Sequence, residues 1–421
     1  MKVLLLNTSD ITGGAARAAY RLHQGLQSIG IDSRMLVQYK SSNDNTVCAP
    51  ATRLKQSIAR TRIAVDALPL KFYHQCENPT FSLQWLPDRI IPKITRLAPE
   101  IINLHWTGEA FIQIETLAKL NLPLIWTLHD MWSFTGGCHY SSDCDRYTIS
   151  CGGCPQLGSN RGCDLSRWVW QRKAKAWKNL NLTVVTPSSW LAKCASSSSL
   201  FQNQRIELIP NSIDTQKYKP IKQQVARGLL NLPQDKQLVL FGSLKATSNK
   251  RKGFHLLQSA LQDLSKSEYQ DEIELVIFGA SRPKNPPEFG FNTYYLGTLG
   301  DDLSLALVYS AADVFVLPSI QENLANTVME AIACATPCVT FNIGGMSDMI
   351  EHQQNGYLAQ PYKIEDLAQG IVWVLKNQER HQKLSTRARA KAEQEFTQEL
   401  QAHRYSSLFA EISASCIPRK Q

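Results

Sequence analysis

The chain has 421 residues, of which 43% are hydrophobic and 19% are charged, and its formal net charge is +9. This composition excludes a disordered chain, and the length exceeds what one hydrophobic core normally supports, so we expect two domains of roughly 200 residues each. No run of about 18 apolar residues occurs, and the N-terminal MKVLLLNTSD lacks the apolar core of a signal peptide, so the sequence predicts a cytoplasmic protein without a spanning helix.

Short apolar runs rich in β-branched residues alternate with helical patterns along the chain. In the first half the predicted strands are Lys2–Asn7, Ser33–Gln38, Ile101–His105, Leu124–His129, Leu182–Thr186 and Ile206–Ile209. In the second half they are Leu238–Gly242, Glu274–Gly279, Thr293–Leu296, Asp313–Leu317 and Pro337–Phe341. Strands separated by helices indicate parallel sheets covered on both faces. Since the pattern breaks around Asp214–Pro220, we predict two doubly wound α/β domains, residues 1–215 and 216–421.

Candidate site residues are sought at the carboxyl ends of the strands, where ligands of doubly wound sheets bind. The turn Gly13–Gly14 follows the first strand and leads into a helix whose free amides could seat a phosphate, although plain turn geometry would also require glycine. His129, followed by Asp130, ends a later strand and could orient a substrate or move a proton. A structural histidine at a strand end is the alternative.

A basic turn in the second half is the next candidate. Arg251, Lys252 and Gly253 stand at a predicted helix start, where two cations and free amides could hold a diphosphate. A solvated run of charges is the alternative.

Two glutamates complete the candidate site. Glu322 lies in the loop after the strand Asp313–Leu317, and Glu330 lies on the following helix, where we expect it to face the strand ends. Carboxylates accept hydrogen bonds from paired hydroxyls, which ribose and hexoses offer. Two such carboxylates beside a phosphate cradle predict a site for a sugar joined to a nucleotide.

These residues resemble the retaining glycosyltransferases of family 4. The resemblance rests on Glu322-x7-Glu330, the basic turn, the linker IPNSID, the N-terminal glycine loop and the glycine pair of FNIGGMSD, in the family's order along nearly the whole chain. It implies the GT-B fold, with two Rossmann-like domains and a cleft between them. It also implies a hexosyltransferase that needs no metal or other cofactor for catalysis and uses a nucleoside diphosphate sugar of the UDP or GDP type.

The resemblance also implies roles for individual residues. Glu322 would hold hydroxyls of the donor sugar, Glu330 the nucleotide ribose, and Lys252 with Arg251 the diphosphate. His129 matches a histidine that contacts the donor sugar, so His129 and Glu322 are the predicted catalytic residues. The other predicted donor-binding residues are Gly13, Gly14, Asn323, Leu324 and Thr327.

Three positions depart from the family pattern. Ser243 follows Gly242 where an arginine is usual, and Arg251 is a candidate to replace it. Asn323 and Ala335 stand where glycine is usual. These changes affect the expected geometry around the donor.

A cysteine-rich insertion at residues 138–163 is not part of the family pattern. Its spacing is C-x5-C-x6-C-x2-C, formed by Cys138, Cys144, Cys151 and Cys154. Four thiolates fit tetrahedral zinc, and a C-x2-C pair resembles half of a zinc knuckle. We therefore predict a structural zinc, with Cys163 as a substitute ligand. Disulfides and unliganded thiols are the alternatives.

The positive charge is concentrated in residues 1–215, which hold 23 basic and 15 acidic side chains. Two stretches carry it, with Arg53, Lys55, Arg60, Arg62 and Lys71 in the first and Arg167, Arg172, Lys173, Lys175 and Lys178 in the second. Such helices can lie on an anionic membrane surface, which would suit a lipid-linked acceptor. Solvated helix faces over a tryptophan core are the alternative.

The sequence thus predicts a retaining glycosyltransferase of polysaccharide biosynthesis that acts on a glycan or lipid-linked acceptor, peripherally at the inner face of the membrane. A GT-B epimerase or hydrolase of nucleotide sugars is the first alternative, whereas no stretch indicates the lysine that a pyridoxal phosphate-dependent phosphorylase needs. A basic nucleic-acid- or membrane-binding protein without catalysis is the alternative of another class. We expect no nucleic-acid partner, because no recognised module appears. The last helix is a candidate to pack back on the N-terminal domain.

Overall fold

The structure is a computed structural model that describes residues 1–50, 53–73, 81–242 and 249–416, with the backbone alone for residues 53–58, 60 and 416. The described chain forms two compact units. The N-terminal unit comprises Met1–Pro210 and the chain from Gln401 onward, and the C-terminal unit comprises Asn211–Leu400. The observed division after Pro210 lies close to the predicted boundary between residues 215 and 216.

In the part of the chain that the structure describes, a seven-stranded parallel sheet forms the centre of the N-terminal unit. Its strands are β1 (Lys2–Ser9), β2 (Asp32–Tyr39), β3 (Val47–Cys48), β4 (Ile101–Leu104), β5 (Leu124–Thr127), β6 (Leu182–Thr186) and β7 (Arg205–Leu208). The helices are α1 (Gly14–Ser28), α2 (Arg53–Asp66), α3 (Ile91–Leu97), α4 (Leu165–Trp177) and α5 (Ser189–Ser197). The sheet order is β3-β2-β1-β4-β5-β6-β7. Because this order reverses between β1 and β4, a ligand is expected at the carboxyl ends of these central strands.

Among the described residues of the C-terminal unit, six parallel strands form the sheet β10-β9-β8-β11-β12-β13. The strands are β8 (Gln237–Gly242), β9 (Ile273–Phe278), β10 (Thr293–Tyr295), β11 (Val314–Leu317), β12 (Cys338–Phe341) and β13 (Gly356–Ala359). The helices are α6 (Gln223–Leu229), α7 (Phe254–Leu264), α8 (Asp302–Ala311), α9 (Asn326–Ala333), α10 (Met346–Met349), α11 (Ile364–Leu375) and α12 (Gln378–Glu395). The last helix, α13 (Gln398–Cys416), begins in this unit and belongs to the N-terminal unit from Gln401 onward. Among the described residues, short 3-10 helices occur in both units. Those of the N-terminal unit lie at Leu68–Phe72, Ile114–Lys119, Trp132–Phe134, Arg146–Thr148 and Pro155–Leu157, and that of the C-terminal unit lies at Lys250–Lys252. The order reverses between β8 and β11, which places their carboxyl ends side by side.

Both faces of the N-terminal sheet are covered, as the apolar run of β1 requires. Val3, Leu4, Leu5 and Leu6 are at most 1% exposed, and successive side chains point to opposite faces. Leu4 and Leu6 join one hydrophobic cluster, whereas Val3 and Leu5 join another that includes Tyr405 of α13. Burying a leucine side chain contributes about 1.5–3 kcal/mol, so β1 anchors both layers of helices.

The structure contains a strand at each position that the sequence predicts. The sequence does not predict the edge strands β3 and β13, because β3 has two residues and β13 begins with a glycine. Five strands end earlier than predicted. β7, β9 and β10 end before Ile209, Gly279 and Leu296, and at the candidate site β4 ends before His105 and β5 ends before His129. Both histidines therefore lie in the loops beyond the sheet.

Candidate functional site

In the C-terminal unit, two cations converge on one buried carboxylate. Glu322 is 7% exposed, and its Oε2 atom lies 2.6 Å from Nζ of Lys252 and 3.1 Å from Nη1 of Arg251. Burial alone would raise the pKa of Glu322, but the charges of Arg251 and Lys252 outweigh it and lower that pKa to about 2. The three predicted donor-site residues therefore form one ionised group.

Two glycines allow the backbone around Glu322 to pack this closely. Gly253 has φ +69° and Gly344 has φ +54°. A Cβ atom on Gly253 would overlap the carbonyl oxygen of Pro318, and a Cβ atom on Gly344 would overlap that of Glu322. The basic turn and the FNIGGMSD stretch thus hold the Glu322 loop from two sides.

The second predicted glutamate, Glu330, lies on α9 and is 3% exposed. Its Oε2 atom accepts a hydrogen bond of 3.1 Å from the hydroxyl of Tyr309 on α8. Tyr309 is fully buried and makes edge-on contacts with Phe278 and Phe315, at centroid distances of 5.7 and 5.5 Å. The sequence predicts that Glu330 faces the strand ends but gives no sign of this tyrosine partner.

The other predicted donor residues of this unit surround the same loop. Asn323 and Leu324 are buried, and Thr327 is half-buried on the first turn of α9. Leu324 precedes the first residue of α9 and packs in the same hydrophobic cluster as that helix. Ser243, which stands where an arginine is usual in the family, lies outside the described residues. Ala335 adopts φ 60°, a left-handed conformation that explains why glycine is usual there.

In the N-terminal unit, His129 is paired with a second histidine. Nδ1 of His105 lies 3.0 Å from Nε2 of His129, and the two rings are stacked with centroids 5.3 Å apart. Burial lowers the pKa of His129 to about 4 and that of His105 well below its ordinary value. Both imidazoles are therefore neutral at neutral pH, and each can act as a hydrogen-bonding group.

A carboxylate network lies beside this histidine pair. Oδ2 of Asp130 lies 2.6 Å from Nδ1 of His139 and accepts a hydrogen bond of 2.7 Å from the indole of Trp106. Burial alone would raise the pKa of Asp130, but His139 and the hydrogen bonds lower it below its usual value. Asp130 is thus a carboxylate with partners already in place.

Sequence reasoning missed His105, Trp106, His139 and Tyr309. The strand-end rule that identified His129 also applies to His105, because β4 and β5 are neighbours in the sheet. His139 lies among the cysteines of the insertion, where the cysteine spacing is the dominant sequence signal. Trp106 and Tyr309 carry no sequence signal that separates them from core aromatic residues.

The glycine loop follows a third neighbouring strand end. Gly13 has φ 97° and precedes α1, whose first residue is Gly14. Because β1, β4 and β5 are consecutive in the sheet, this loop, His105 and His129 follow adjacent strands. The structure thus collects one group of predicted residues in each unit: the glycine loop with His129, and the basic turn with the two glutamates.

The five cysteines of the insertion form no disulfide. The Sγ atom of Cys151 accepts a hydrogen bond of 3.1 Å from the backbone of Gly136, and burial raises the pKa of Cys151 to about 12. No group of three or more His, Cys, Asp or Glu side chains within the described ranges is arranged to hold a metal ion. The zinc site therefore stays a prediction, and Cys163 is exposed.

The basic stretches are less exposed than the sequence suggests. Lys173 is fully buried, with its Nζ atom 3.6 Å from the ring centroid of Trp132, so its predicted place on a basic surface is wrong. Arg172 is half-buried and pairs with Glu115 at 2.7 Å. The side chains of Arg53, Lys55 and Arg60 lie outside the described residues. In the described chain no helix is long and apolar enough to cross a bilayer.

Comparison with known families gives two matches. Residues 12–217 match the model of Glycosyltransferase Family 4, and residues 226–391 match that of Glycosyl transferases group 1. Together the two models span most of the chain.

Two curated relatives illustrate the range of similarity. The sulfoquinovosyl transferase SQD2 of Arabidopsis thaliana is 26% identical over 318 residues, which are 73% of this chain and 56% of that protein. The chain thus matches little more than half of this relative. The putative colanic acid biosynthesis glycosyl transferase WcaC of Escherichia coli K12 is 22% identical over 380 residues, 83% of this chain and 85% of that protein.

Solved structures share the fold. Sucrose-phosphate synthase from Thermosynechococcus elongatus superposes with a TM-score of 0.71 and 18% identity over 99% of this chain and 100% of that one. Anabaena Alr3699/HepE, in complex with UDP-glucose, gives a TM-score of 0.64 and 16% identity over 98% of this chain and 100% of that one. The predicted GT-B fold class, with two Rossmann-like α/β domains, is confirmed.

Proposed function

The chain belongs to glycosyltransferase family 4, and we propose that it transfers a sugar, with retention of configuration, from a nucleoside diphosphate sugar to a glycan or lipid-linked acceptor. The observation that carries the proposal is the buried group of Glu322, Lys252 and Arg251. A carboxylate that meets two cations at strand ends supplies acceptors for sugar hydroxyls and positive charge for a diphosphate in one place.

The charges of this group suit the departure of the diphosphate. Negative charge develops on the leaving diphosphate. Lys252 and Arg251 are held in place by Glu322, so they can stabilise this charge without rearrangement of the side chains. Glu322 stays ionised at neutral pH because its pKa is lowered to about 2. The cations and Ser319 all contact its Oε2 atom, so we assign the donor hydroxyls to Oε1. These cations supply the charge that a divalent ion would otherwise provide, so the proposed reaction needs no metal.

Glu330 and His129 complete the proposed donor contacts. Glu330, oriented by Tyr309, would accept hydrogen bonds from the ribose hydroxyls. His129 is neutral at pH 7, so we assign it a hydrogen bond to the donor sugar and no role as a cationic acid. The names of the relatives, a sulfoquinovosyl transferase and a putative colanic acid glycosyl transferase, and the UDP-glucose complex of HepE support a nucleotide-sugar donor and a glycan or glycolipid product.

The decisive experiment is a screen of UDP- and GDP-sugars by thermal shift, followed by product analysis with and without acceptor saccharides. Transfer to an acceptor with the donor's anomeric configuration, unchanged by EDTA, is expected. Conversion of the donor alone into an epimer or free sugar would instead identify the epimerase or hydrolase alternative. Inversion of configuration in the transferred sugar would refute the retaining mechanism.

An exposed apolar patch on the N-terminal unit favours contact with a membrane, which would bring a lipid-linked acceptor to the enzyme. Phe72 is 84% exposed and Leu68 is 46% exposed on one 3-10 helix, which also carries the exposed Lys71. The hydroxyl of Tyr73 accepts a hydrogen bond from the backbone of α4, where Trp168 is 40% exposed. Exposed aromatic residues beside lysines are typical of surfaces that lie at an anionic bilayer.

A further inference from the structure

A tyrosine in a left-handed conformation follows the edge strand β13 of the C-terminal unit. Tyr362 has φ 64°, which is unfavourable for a residue with a bulky side chain. It is the third residue of a turn in which Pro361 is the second and the backbone N–H of Lys363 donates to the carbonyl of Gln360 at 3.2 Å. Turns with proline second and a left-handed residue third favour glycine or asparagine in the third place. The turn itself therefore does not explain the tyrosine.

The side chain of Tyr362 reaches from β13 to the loop that carries Glu322. Its ring packs against Phe341, the last residue of β12, with the ring centroids 6.1 Å apart. Its hydroxyl donates a hydrogen bond of 3.1 Å to the carbonyl of Ile320. Because the sheet order is β11-β12-β13, this contact crosses the end of β12 and joins the edge strand to the loop after β11.

Tyr362 and Arg251 hold two consecutive peptide groups directly before Glu322. The Ile320 carbonyl, which Tyr362 binds, belongs to the first of these groups. The carbonyl of Gln321 belongs to the second, and it accepts a hydrogen bond of 2.6 Å from Nη1 of Arg251. The same Nη1 atom lies 3.1 Å from Oε2 of Glu322. A shift of these peptide groups would therefore move the carboxylate relative to its cation.

Packing does not account for Tyr362 either. The residue is 49% exposed, so its ring adds little to the hydrophobic core. Residues held in unfavourable backbone conformations cluster at functional sites, where a specific contact keeps them in place. The contact that Tyr362 makes is the one with the Glu322 loop.

We propose that Tyr362 is a positioning residue of the donor site, which fixes the backbone before Glu322 and thereby the geometry of Glu322 with Arg251. The inference rests on the proposed function, because that function assigns the donor sugar to Glu322 and the diphosphate to Arg251.

Hydrogen exchange of the full chain, followed by mass spectrometry, tests the contact without any ligand. Tyr362→Phe removes the hydroxyl and keeps the ring on Phe341. The amides of residues 319–323 are expected to exchange roughly 2- to 12-fold faster, the range for loss of one hydrogen bond, at an unchanged unfolding temperature. Tyr294→Phe is the matched control, because Tyr294 is also half-buried but bonds to Glu274 at the opposite edge of the sheet.

Kinetics with a donor and an acceptor from the screen test the positioning role. Tyr362→Phe is expected to raise KM for the donor by a similar factor of roughly 2 to 12 and to leave KM for the acceptor unchanged. A purely structural role would lower the fraction of folded enzyme, and hence kcat, without a change in KM for the donor. Tyr294→Phe should leave both KM values unchanged.

The outcomes separate the inference from the proposed function. Unchanged exchange of residues 319–323 in Tyr362→Phe would overturn the inference whatever the nucleotide affinity, and so would an unchanged KM for the donor. Failure of the chain to bind any nucleotide sugar, with faster exchange in Tyr362→Phe, would overturn the proposed function and leave the contact between Tyr362 and the Glu322 loop in place.

Discussion

Replacing Tyr309 with phenylalanine is expected to weaken nucleotide binding, although Tyr309 acts only through Glu330, the residue proposed to bind the ribose. Its hydroxyl holds Oε2 of Glu330 at 3.1 Å inside the core, and the ring contacts on Phe278 and Phe315 stay in the variant. A hydrogen bond to a charged group contributes about 1.5–3 kcal/mol. If about half of this loss reaches the ribose contact, UDP or GDP affinity falls roughly 3- to 15-fold.

Calorimetry on four proteins checks this reasoning: wild type, Tyr309→Phe, Glu330→Gln and the double variant. Glu330→Ala, measured alongside, should itself lose about 1–3 kcal/mol of nucleotide binding. The Tyr309 effect should shrink in the Glu330→Gln background, because the phenol then donates to a neutral amide oxygen instead of a carboxylate. Tyr218→Phe is the matched control, since Tyr218 is as buried but donates to Asp302 at 2.8 Å. An unchanged affinity in Tyr309→Phe, with Glu330→Ala weakened, would refute the positioning role; unchanged affinity in both would remove Glu330 from the site.

Four further outcomes are expected. Ala335→Gly should raise the unfolding temperature slightly. Glycine relieves roughly 1–2 kcal/mol of left-handed strain, which exceeds the roughly 0.4–1 kcal/mol lost because the unfolded chain gains entropy. A lower unfolding temperature by calorimetry would contradict the left-handed conformation of Ala335. Since the pKa of Glu322 falls from 4.5 to about 2 on folding, Glu322 contributes about 3 kcal/mol to the free energy of unfolding above pH 4.5, and this contribution is lost as the pH drops toward 2. In urea unfolding, the free energy of unfolding of Glu322→Gln should therefore decline less between these pH values than that of the wild type. An equal decline in both proteins would count against the ion pairs. Phe72→Ser should reduce co-sedimentation with anionic liposomes at low salt while Leu303→Ser, at a 66% exposed position of the other unit, should not; equal binding to neutral liposomes would speak against the membrane surface. Elemental analysis of untagged protein should find one zinc per chain that Cys151→Ser loses together with thermal stability, and zinc-free wild-type protein would end that prediction.

The fold could be predicted because its signals are local and repeated. Most strands of the two sheets are short apolar runs, and burial on both faces of β1 shows why such runs lack alternation. The Glu322 group could also be predicted, since β8 and β11 are neighbours and the loops after them must meet. The partner of Glu330 could not, because a contact between Tyr309 on α8 and Glu330 on α9 depends on how two helices pack.

For Lys173 the helical period predicts burial, whereas its charge predicts exposure. Val169, Lys173 and Trp177 are spaced four residues apart on α4, so the helical period places the lysine on the stripe that Val169 and Trp177 bury. Its amine lies over the ring of Trp132 and donates to the carbonyl of Thr135 at 3.0 Å, so the buried group is satisfied. Periodicity was therefore the better guide than residue type here, and the basic surface that remains for a membrane is narrower than the charge count of the N-terminal half implies.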